Sequence, residues 1–248
     1  MKLLALDSSG NVASVAVTED DRLIGEYTVD HGKTHSQTLL PMLDEVKKMI
    51  ELDLSSVDAI AIAAGPGSFT GLRIGSATAK GLAEALNKPI VEVPTVEALA
   101  FNMYGYDGLI CPIMDARRNQ VYAGLYRFEE DPDTEEGYRM LTVKEQFVGD
   151  FGELLAEIEA MQTKVVFLGD AVALHKETIK DTLHVPFGFA PANCNRQHAA
   201  CVAALGRHLL LQGKSVAAGE HKPIYLRLSQ AERERAERER AEREDGAH

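Results

Sequence analysis

A glycine-rich string is the part of this sequence with the clearest chemical potential. It runs from Gly65 to Gly75 as GPGSFTGLRIG, after an apolar run that predicts a buried strand and before an Ala/Gly-rich segment that predicts a helix. Glycine allows positive φ and close approach of two backbones, and the hydroxyl of Ser68 or Thr70 can accept a hydrogen bond from the first turn of the helix. Such a junction can hold an anion or pack against another part of the backbone.

Three interpretations of the glycine string stay open on spacing alone. As a dinucleotide site, Gly65, Gly67 and Gly71 approximate a phosphate-binding fingerprint, and Glu92 follows roughly where a ribose-binding acid would stand. Against this, the preceding strand is not the first of the chain, and Pro66 has no N–H to donate. As an association surface, small residues recur every fourth position and form one narrow helix face: Gly71, Gly75, Ala79 and Ala83. The third interpretation is that this face packs inside the domain.

Two groups of side chains have spacings that could suit a metal ion. His31 and His35 are four residues apart but precede the first helix, so we interpret them as surface or capping residues. Cys194, His198 and Cys201 could supply three ligands, but their neighbours are core-like and buried thiols are common. We therefore expect no metal site and no cofactor, and no local motif assembles a nucleophilic triad.

Composition limits the class of protein and its partners. The 248 residues are 45% hydrophobic and 26% charged, which is typical of a globular protein with one large domain or two modest ones. The net charge of −12 argues against a protein that grips nucleic acid alone, although an acidic subunit of an RNA-handling complex is compatible with it. Three cysteines without framework spacing, together with no signal peptide and no apolar membrane span, predict a cytoplasmic protein.

The elements of the first half predict a mixed sheet. Periodicity predicts a meander of three strands at 2–9, 11–18 and 22–29. Alternating helices and strands follow: a helix at 34–52, a strand at 57–64, a helix at 70–87, a strand at 90–93 and a helix at 95–103. Pro41 either kinks the first of these helices or marks its start. A meander that feeds parallel strand–helix units is the layout of the actin-like ATPase fold, whose first hairpin cradles a phosphate. Asp7, Ser8, Ser9 and Gly10 hold that position here and are the candidates for nucleotide contact.

The second half repeats this pattern less regularly. We predict strands at 109–114, 121–128 and 139–147, a helix at 151–161, a strand at 164–168, helices at 174–183 and 198–212, a proline-marked loop at 185–195 and an extended segment at 223–227. From Gln230 the sequence changes to Ala-Glu-Arg repeats without an apolar stripe. Residues 229–248 are therefore predicted to be a solvated helix or a disordered tail.

The glycine string closely resembles the signature of the bacterial TsaB (YeaZ) family. Further segments agree in the same order: LDSS at 6–9, THS at 34–36, LLP at 39–41, DAR at 115–117, VY at 121–122 and PIYLR at 223–227. The resemblance implies an α/β protein of the actin-like ATPase (ASKHA, ribonuclease H-like) fold. It has two related subdomains, 1–106 and 107–228, each a mixed sheet with packed helices.

The resemblance implies a scaffold subunit rather than an enzyme. The resemblance implies that members of this family are catalytically inactive paralogues of TsaD. It also implies that they bind TsaD and activate TsaD for transfer of a threonylcarbamoyl group to adenosine in tRNAs that read ANN codons. The resemblance also implies that TsaE joins the larger complex and that this chain contacts tRNA only as part of the complex. It implies further that the chain can form a homodimer when TsaD is absent. The alternative is a nucleotide- or dinucleotide-binding enzyme that uses the loop from Gly65 to Gly71.

The resemblance also implies an interface with TsaD, formed by the helix after the meander and the helix after the glycine string. Its residues would be His35, Leu39, Leu43, Val46, Ile50, Gly71, Leu72, Gly75, Ala79 and Leu82. If this surface is exposed, a bulky residue at Gly75 or Ala79 should block binding and leave the fold intact. Weak or absent ATP binding is expected, because a second glycine pair of active relatives is not evident. Three arginines could contact a partner, its nucleotide or tRNA, or pair with carboxylates of the chain: Arg117, Arg118 and Arg227.

Overall fold

The structure, a computed structural model, describes residues 1–32, 34–134 and 136–227. The first half contains five strands and three α-helices: β1 (Lys2–Asp7), β2 (Ala13–Glu19), β3 (Arg22–Val29), α1 (His35–Met49), β4 (Ala59–Gly65), α2 (Phe69–Leu86), β5 (Ile90–Pro94) and α3 (Thr95–Ala100). The second half contains β6 (Leu109–Asp115), β7 (Gln120–Glu130), β8 (Tyr138–Asp150), α4 (Phe151–Ala160), β9 (Val165–Leu168), α5 (Val172–Thr182), β10 (Phe187–Phe189) and α6 (Ala199–Leu211).

The two halves form two sheets with the same topology. The first sheet has the order β3-β2-β1-β4-β5, and the second has the order β10-β9-β6-β7-β8, which is the same order read from the other edge. In each sheet the first three strands of the half are antiparallel, and the last two join them in parallel. This duplication confirms the predicted α/β fold of the actin-like ATPase class.

Helices cover both faces of the first sheet. All seven residues of β4 are buried, as expected for a central parallel strand with helices on both sides. Leu4 and Leu6 of β1 face α1 and α2, whereas Leu3 and Ala5 face α6. Because α6 belongs to the second half of the chain and packs on the first sheet, it joins the two halves, and the division into 1–106 and 107–228 stays a prediction. The expected boundary near residue 106 separates the strands of the two sheets but not their helices.

Several predicted elements differ from those of the structure in informative ways. The short strand β10 lies in the predicted loop 185–195, because three residues are too few to show a periodicity. Pro41 lies inside α1, which begins six residues earlier at His35, so Pro41 does not mark the start of the helix. Residues 229–248 lie outside the described part of the chain. Within that part, no helix combines the length and apolar character needed to cross a membrane.

Candidate functional site

The glycine string packs against the first turn of the chain, between β1 and β2. A Cβ atom added to Gly67 would lie 2.2 Å from the carbonyl oxygen of Ser9, and one added to Gly71 would lie 2.1 Å from that of Ser8. The Ser68 backbone N–H donates to the Ser9 carbonyl at 2.7 Å, and the Ser68 hydroxyl caps α2 by accepting from the Gly71 N–H at 3.3 Å. The glycines therefore permit close contact between two backbones, and no ligand group fits between them.

The Asp7 carboxylate and the Gly10 carbonyl of the first turn are paired within the chain, whereas the buried Gln197 amide nitrogen and His35 Nδ1 beside it have no hydrogen-bond partner among the described residues. Asp7 is buried, and its carboxylate accepts from the backbone N–H of Ser9 at 2.8 Å and from the Ser9 hydroxyl at 2.6 Å. Burial raises the pKa of Asp7 despite these two bonds. His35 Nε2 lies 2.9 Å from the carbonyl oxygen of Gly10, and the amide of Gln197 packs on that glycine. Because the Gln197 side chain fills the space at Gly10 and the Ser68 N–H is bonded to the Ser9 carbonyl, these residues do not fit a phosphate at the turn.

The residues expected to form the TsaD interface lie mostly in the core. His35, Leu39, Leu43, Val46, Gly71, Leu72, Gly75 and Ala79 are buried, and Ile50 and Leu82 are partly buried. The apolar stripe of each helix faces its own sheet, and periodicity alone does not distinguish that sheet from a partner. The contact of these residues with TsaD stays a prediction. A bulky residue at Gly75 would not leave the fold intact, because its Cβ would lie 2.3 Å from the Ser8 hydroxyl oxygen.

A different side of α1 and α2 is exposed. On α2, small residues recur every fourth position toward solvent: Ala77, Gly81 and Ala85. A Cβ atom added to Gly81 would meet no other atom within 4 Å. On the adjacent α1, Leu40 is 54% exposed and is followed by the exposed residue Pro41. We name these five residues the outer α1/α2 face.

A cavity of about 520 Å³ lies where the two halves of the chain meet. Its wall includes the first turn, the glycine string, the turn between β6 and β7, and residues 224–227. Arg117, Arg118 and Asn119 of the β6–β7 turn have φ values of 65°, 56° and 59°. Left-handed backbone is uncommon for arginine, and three such residues in succession turn the chain sharply at the cavity.

The charged groups of the cavity are paired within the chain. The Arg117 guanidinium lies 3.2 Å from the Asp115 carboxylate, and the Arg227 guanidinium donates to the carbonyl oxygen of Ala116. The Asp170 carboxylate accepts from the backbone N–H of Asp115 at 3.0 Å, and burial raises the pKa of Asp170. Arg118 is exposed at the tip of the turn. The described wall of the cavity therefore carries both positive and negative side chains, which bond to each other or to the backbone, and it shows no excess of one sign of charge.

The candidate metal ligands do not converge. His31 is exposed, whereas His35 is bound to the first turn. The Cys201 thiol donates to the side-chain oxygen of Asn102 at 2.9 Å, and burial raises the pKa of this thiol to about 12. In the part of the chain that the structure describes, no three His, Cys, Asp or Glu side chains are close enough to share a metal ion.

A hydroxyl–imidazole–carboxylate row that sequence analysis missed joins three distant residues. His221 Nε2 lies 2.8 Å from the Ser76 hydroxyl oxygen, and His221 Nδ1 lies 2.6 Å from a carboxylate oxygen of Glu92. The order of groups is that of a nucleophilic triad. However, His221 has no exposed surface and Ser76 is buried, so a substrate has no access to the hydroxyl. We interpret the row as an anchor that holds the segment after α6 against α2 and β5.

Comparison with known proteins identifies the family. A family model described as "TsaD: tRNA N6-adenosine threonylcarbamoyltransferase" matches residues 29–235. A Bacillus subtilis protein named tRNA threonylcarbamoyladenosine biosynthesis protein TsaB is 36% identical over 238 residues, which cover 94% of this chain and 96% of that protein. The chain belongs to the TsaB (YeaZ) family. A Haemophilus influenzae protein of the same name is 30% identical and covers 92% of this chain and 94% of its own length.

A solved structure of the same family agrees with the fold. YeaZ from Pseudomonas aeruginosa is 27% identical and superposes with a TM-score of 0.74, covering 91% of this chain and 99% of that chain. Because the superposition covers nearly all of both chains, this relative shares the overall fold of the two sheets.

Proposed function

We propose that the chain is a non-catalytic scaffold subunit. It binds TsaD and activates it for transfer of a threonylcarbamoyl group to adenosine in tRNAs that read ANN codons. Family membership supports a role in tRNA threonylcarbamoyladenosine biosynthesis, because the relatives carry that name. The scaffold role rests on one observation. The glycine string is used for internal packing, whereas the outer α1/α2 face remains open to solvent.

The outer α1/α2 face suits a helical partner. Ala77, Gly81 and Ala85 leave a flat strip on α2, so the backbone of a second helix can approach closely. Leu40 on the neighbouring helix supplies apolar surface that such a helix would cover. We propose TsaD as this partner in the cytoplasm, with TsaE joining the larger complex and a second copy of the chain taking the face when TsaD is absent.

We propose that tRNA is contacted through the complex and not by this chain alone. The net charge of −12 opposes binding to a polyanion, and Arg117 and Arg227 bond to other groups of the molecule. The complex would therefore take its affinity for tRNA from the partner. The dinucleotide alternative has little support, since Glu92 is bound to His221 and the glycines pack on backbone.

The test is a tryptophan at Gly81, where the added side chain has open space on the outer α1/α2 face. We expect Gly81→Trp to keep the circular dichroism spectrum and the Tm, to weaken binding to TsaD by about tenfold or more, and to reduce tRNA modification by the mixture. Binding is measured by light-scattering chromatography and titration calorimetry. The matched control is Gly188→Trp in β10, a glycine with equally open space in the other half.

Two results would overturn the proposal. A Gly81→Trp protein that binds TsaD as tightly as the Gly188→Trp protein would remove the outer α1/α2 face from the interface. A chain that ignores TsaD altogether but modifies tRNA or hydrolyses a nucleotide alone would contradict the scaffold role itself.

A further inference from the structure

Residues 69–83 of α2 carry positive charge only, in an otherwise acidic protein. No aspartate or glutamate occurs from residue 59 to residue 83, although the chain contains 38 acidic residues and its net charge is −12. The same stretch contains Arg73 and Lys80. We propose that the partner helix that covers the outer α1/α2 face is acidic, with carboxylates that pair with these two cations. This inference rests on the proposed function and adds the chemistry of the partner's surface.

Helix geometry places the two cations beside the small residues of the outer α1/α2 face. Arg73 and Lys80 are seven residues apart, so they lie on one side of α2 and about 10 Å apart along its axis. Ala77 follows Arg73 by four residues and precedes Lys80 by three, which makes it a neighbour of both on the helix surface. A helix that packs on Ala77 and Gly81 would therefore pass both cations.

Neither cation has an ion pair within the part of the chain that the structure describes. Arg73 is exposed, and its guanidinium lies 5.2 Å from the centre of the Phe69 ring, which is not a charged partner. Lys80 is partly buried and is not paired with Glu84, which follows it by one turn in the less favourable order for an ion pair. The first turn of α2 has no acidic residue, so the positive end of the helix dipole adds to the charge of Arg73. Both charges are therefore open to a partner.

A protein helix suits this surface better than RNA. A polyanion is gripped by several clustered lysines and arginines, and two cations on a chain of net charge −12 do not make such a cluster. Their neighbours Ala77 and Gly81 are small and exposed, which favours close approach of a second helix. Carboxylates at the border of that helix would then meet Arg73 and Lys80. Such pairs would raise the association rate and reject partners with basic helices.

Charge reversal of the two residues tests the inference. We expect the full-length variant with Arg73→Glu and Lys80→Glu to bind TsaD about tenfold or more weakly than the unmodified chain at low salt, because attraction becomes repulsion. The difference should shrink as salt rises, since exposed charges are screened. Arg73→Gln with Lys80→Gln should weaken binding less than the reversal does. Titration calorimetry measures the dissociation constants, and circular dichroism and the Tm check that each variant is folded.

The matched control reverses two exposed cations outside the outer α1/α2 face, with Arg22→Glu and Lys214→Glu. This control changes the net charge by the same amount, and we expect it to lose less than about threefold in affinity for TsaD. Equal losses in the control and in the Arg73 and Lys80 reversal would assign the effect to net charge and overturn the inference. If the Arg73 and Lys80 reversal does not fold, the comparison of the glutamine pair with the unmodified chain decides.

Two further results would contradict an acidic partner helix. The first is a reversed variant that binds TsaD as tightly as the unmodified chain at every salt concentration. The second is a reversed variant that keeps this affinity while its complex with TsaD loses binding of labelled tRNA, which would assign the two cations to RNA. Both results leave the scaffold role in place, whereas an unmodified chain that does not bind TsaD at all would remove the proposed function and this inference with it.

Discussion

Two strand residues complete the first turn of α6. The backbone N–H of Ala199 donates to the Ser14 hydroxyl oxygen at 2.9 Å, and that of Ala200 donates to the Glu26 carboxylate at 3.0 Å. His198 Nδ1 lies 3.2 Å from the second oxygen of Glu26. A carboxylate at a helix N-terminus satisfies otherwise unpaired N–H groups and complements the helix dipole. This cluster therefore attaches α6 to the hairpin of β2 and β3.

The pair of Glu26 and His198 has pKa values that shift in opposite directions. Burial alone would raise the pKa of Glu26, but the hydrogen bonds from His198 and from the Ala200 N–H hold it below its ordinary value of 4.5. The hydrogen bond to Glu26 raises the pKa of His198 above 6.5, against the opposing effect of burial. The carboxylate contributes stability above about pH 4.5, and the imidazolium contributes below about pH 6.5. Between these values both contributions are present.

We predict that the coupling energy between Glu26 and His198 depends on pH. A double-mutant cycle with Glu26→Gln and His198→Asn, followed by urea unfolding, should give about 1–2 kcal/mol near pH 5.5. The coupling should fall as pH rises through the raised pKa of His198, because the neutral imidazole no longer pairs with the carboxylate. The exposed pair Arg127 and Glu129 is the control and should show less than about 1 kcal/mol at either pH. Equal coupling near pH 5.5 and pH 8.5 would contradict the assignment.

At this scale the sequence predicts local contacts only. The Ser68 cap could be predicted, because the serine stands directly before a helix signal and its acceptor role needs no distant residue. The anchor of His221 on Glu92 and Ser76 could not, because the partners are 129 and 145 residues away and no spacing rule connects them. Contacts between residues this far apart in the sequence can be identified only when the order of the strands in the sheet is known.

At the scale of elements, helices are predicted well but their orientation is not. The predicted helix at 70–87 is α2 (Phe69–Leu86), since its small and apolar residues recur at helical spacing. Both sides of α2 carry small residues, with Gly71 and Gly75 toward the first turn and Ala77 and Gly81 toward solvent. A periodic pattern therefore indicates a helix without indicating which face meets the protein's own core.

We predict opposite effects of one substitution at two glycines of α2. Gly71→Ala should lower the free energy of unfolding by about 1–3 kcal/mol, because the new Cβ would collide with the Ser8 carbonyl oxygen, a backbone atom. Gly81→Ala should raise it by about 0.5–1 kcal/mol, since the site is open and alanine is the better helix former. Urea unfolding of the two variants measures both effects. Equal stabilities would show that the glycine string does not pack as described.

At the scale of the whole molecule, the chain closes on itself through α6. Val202, Ala203 and Leu205 of α6 pack on the face of the first sheet opposite α1 and α2. A Cβ atom added to Gly206 would lie 2.9 Å from the Cβ of Ala61, so this glycine lets the helix approach β4 closely. The last helix among the described residues is thus part of the core of the first half.

The duplicated order of elements could be predicted from the sequence, because two meanders are followed by strand–helix units. The return of α6 could not be, because an apolar helix stripe is compatible with either sheet. For residues 229–248 a solvated helix or disordered tail stays a prediction. The fold class is therefore accessible from the order of elements, whereas the assignment of helices to sheets requires the three-dimensional structure.

Since α6 covers the first sheet, we predict that residues 1–106 do not form a stable domain alone. Without α6, the face that includes Leu3, Ala5 and Val91 would be exposed to water. The fragment should bind a hydrophobic dye and unfold without a cooperative transition. Adding a peptide of residues 196–227 should restore cooperative unfolding, because it supplies the missing cover, and a Val202→Asp peptide should fail to do so. Cooperative unfolding of the fragment alone, unchanged by either peptide, would mean that the first sheet is stable without α6 and that the early domain boundary is a true one.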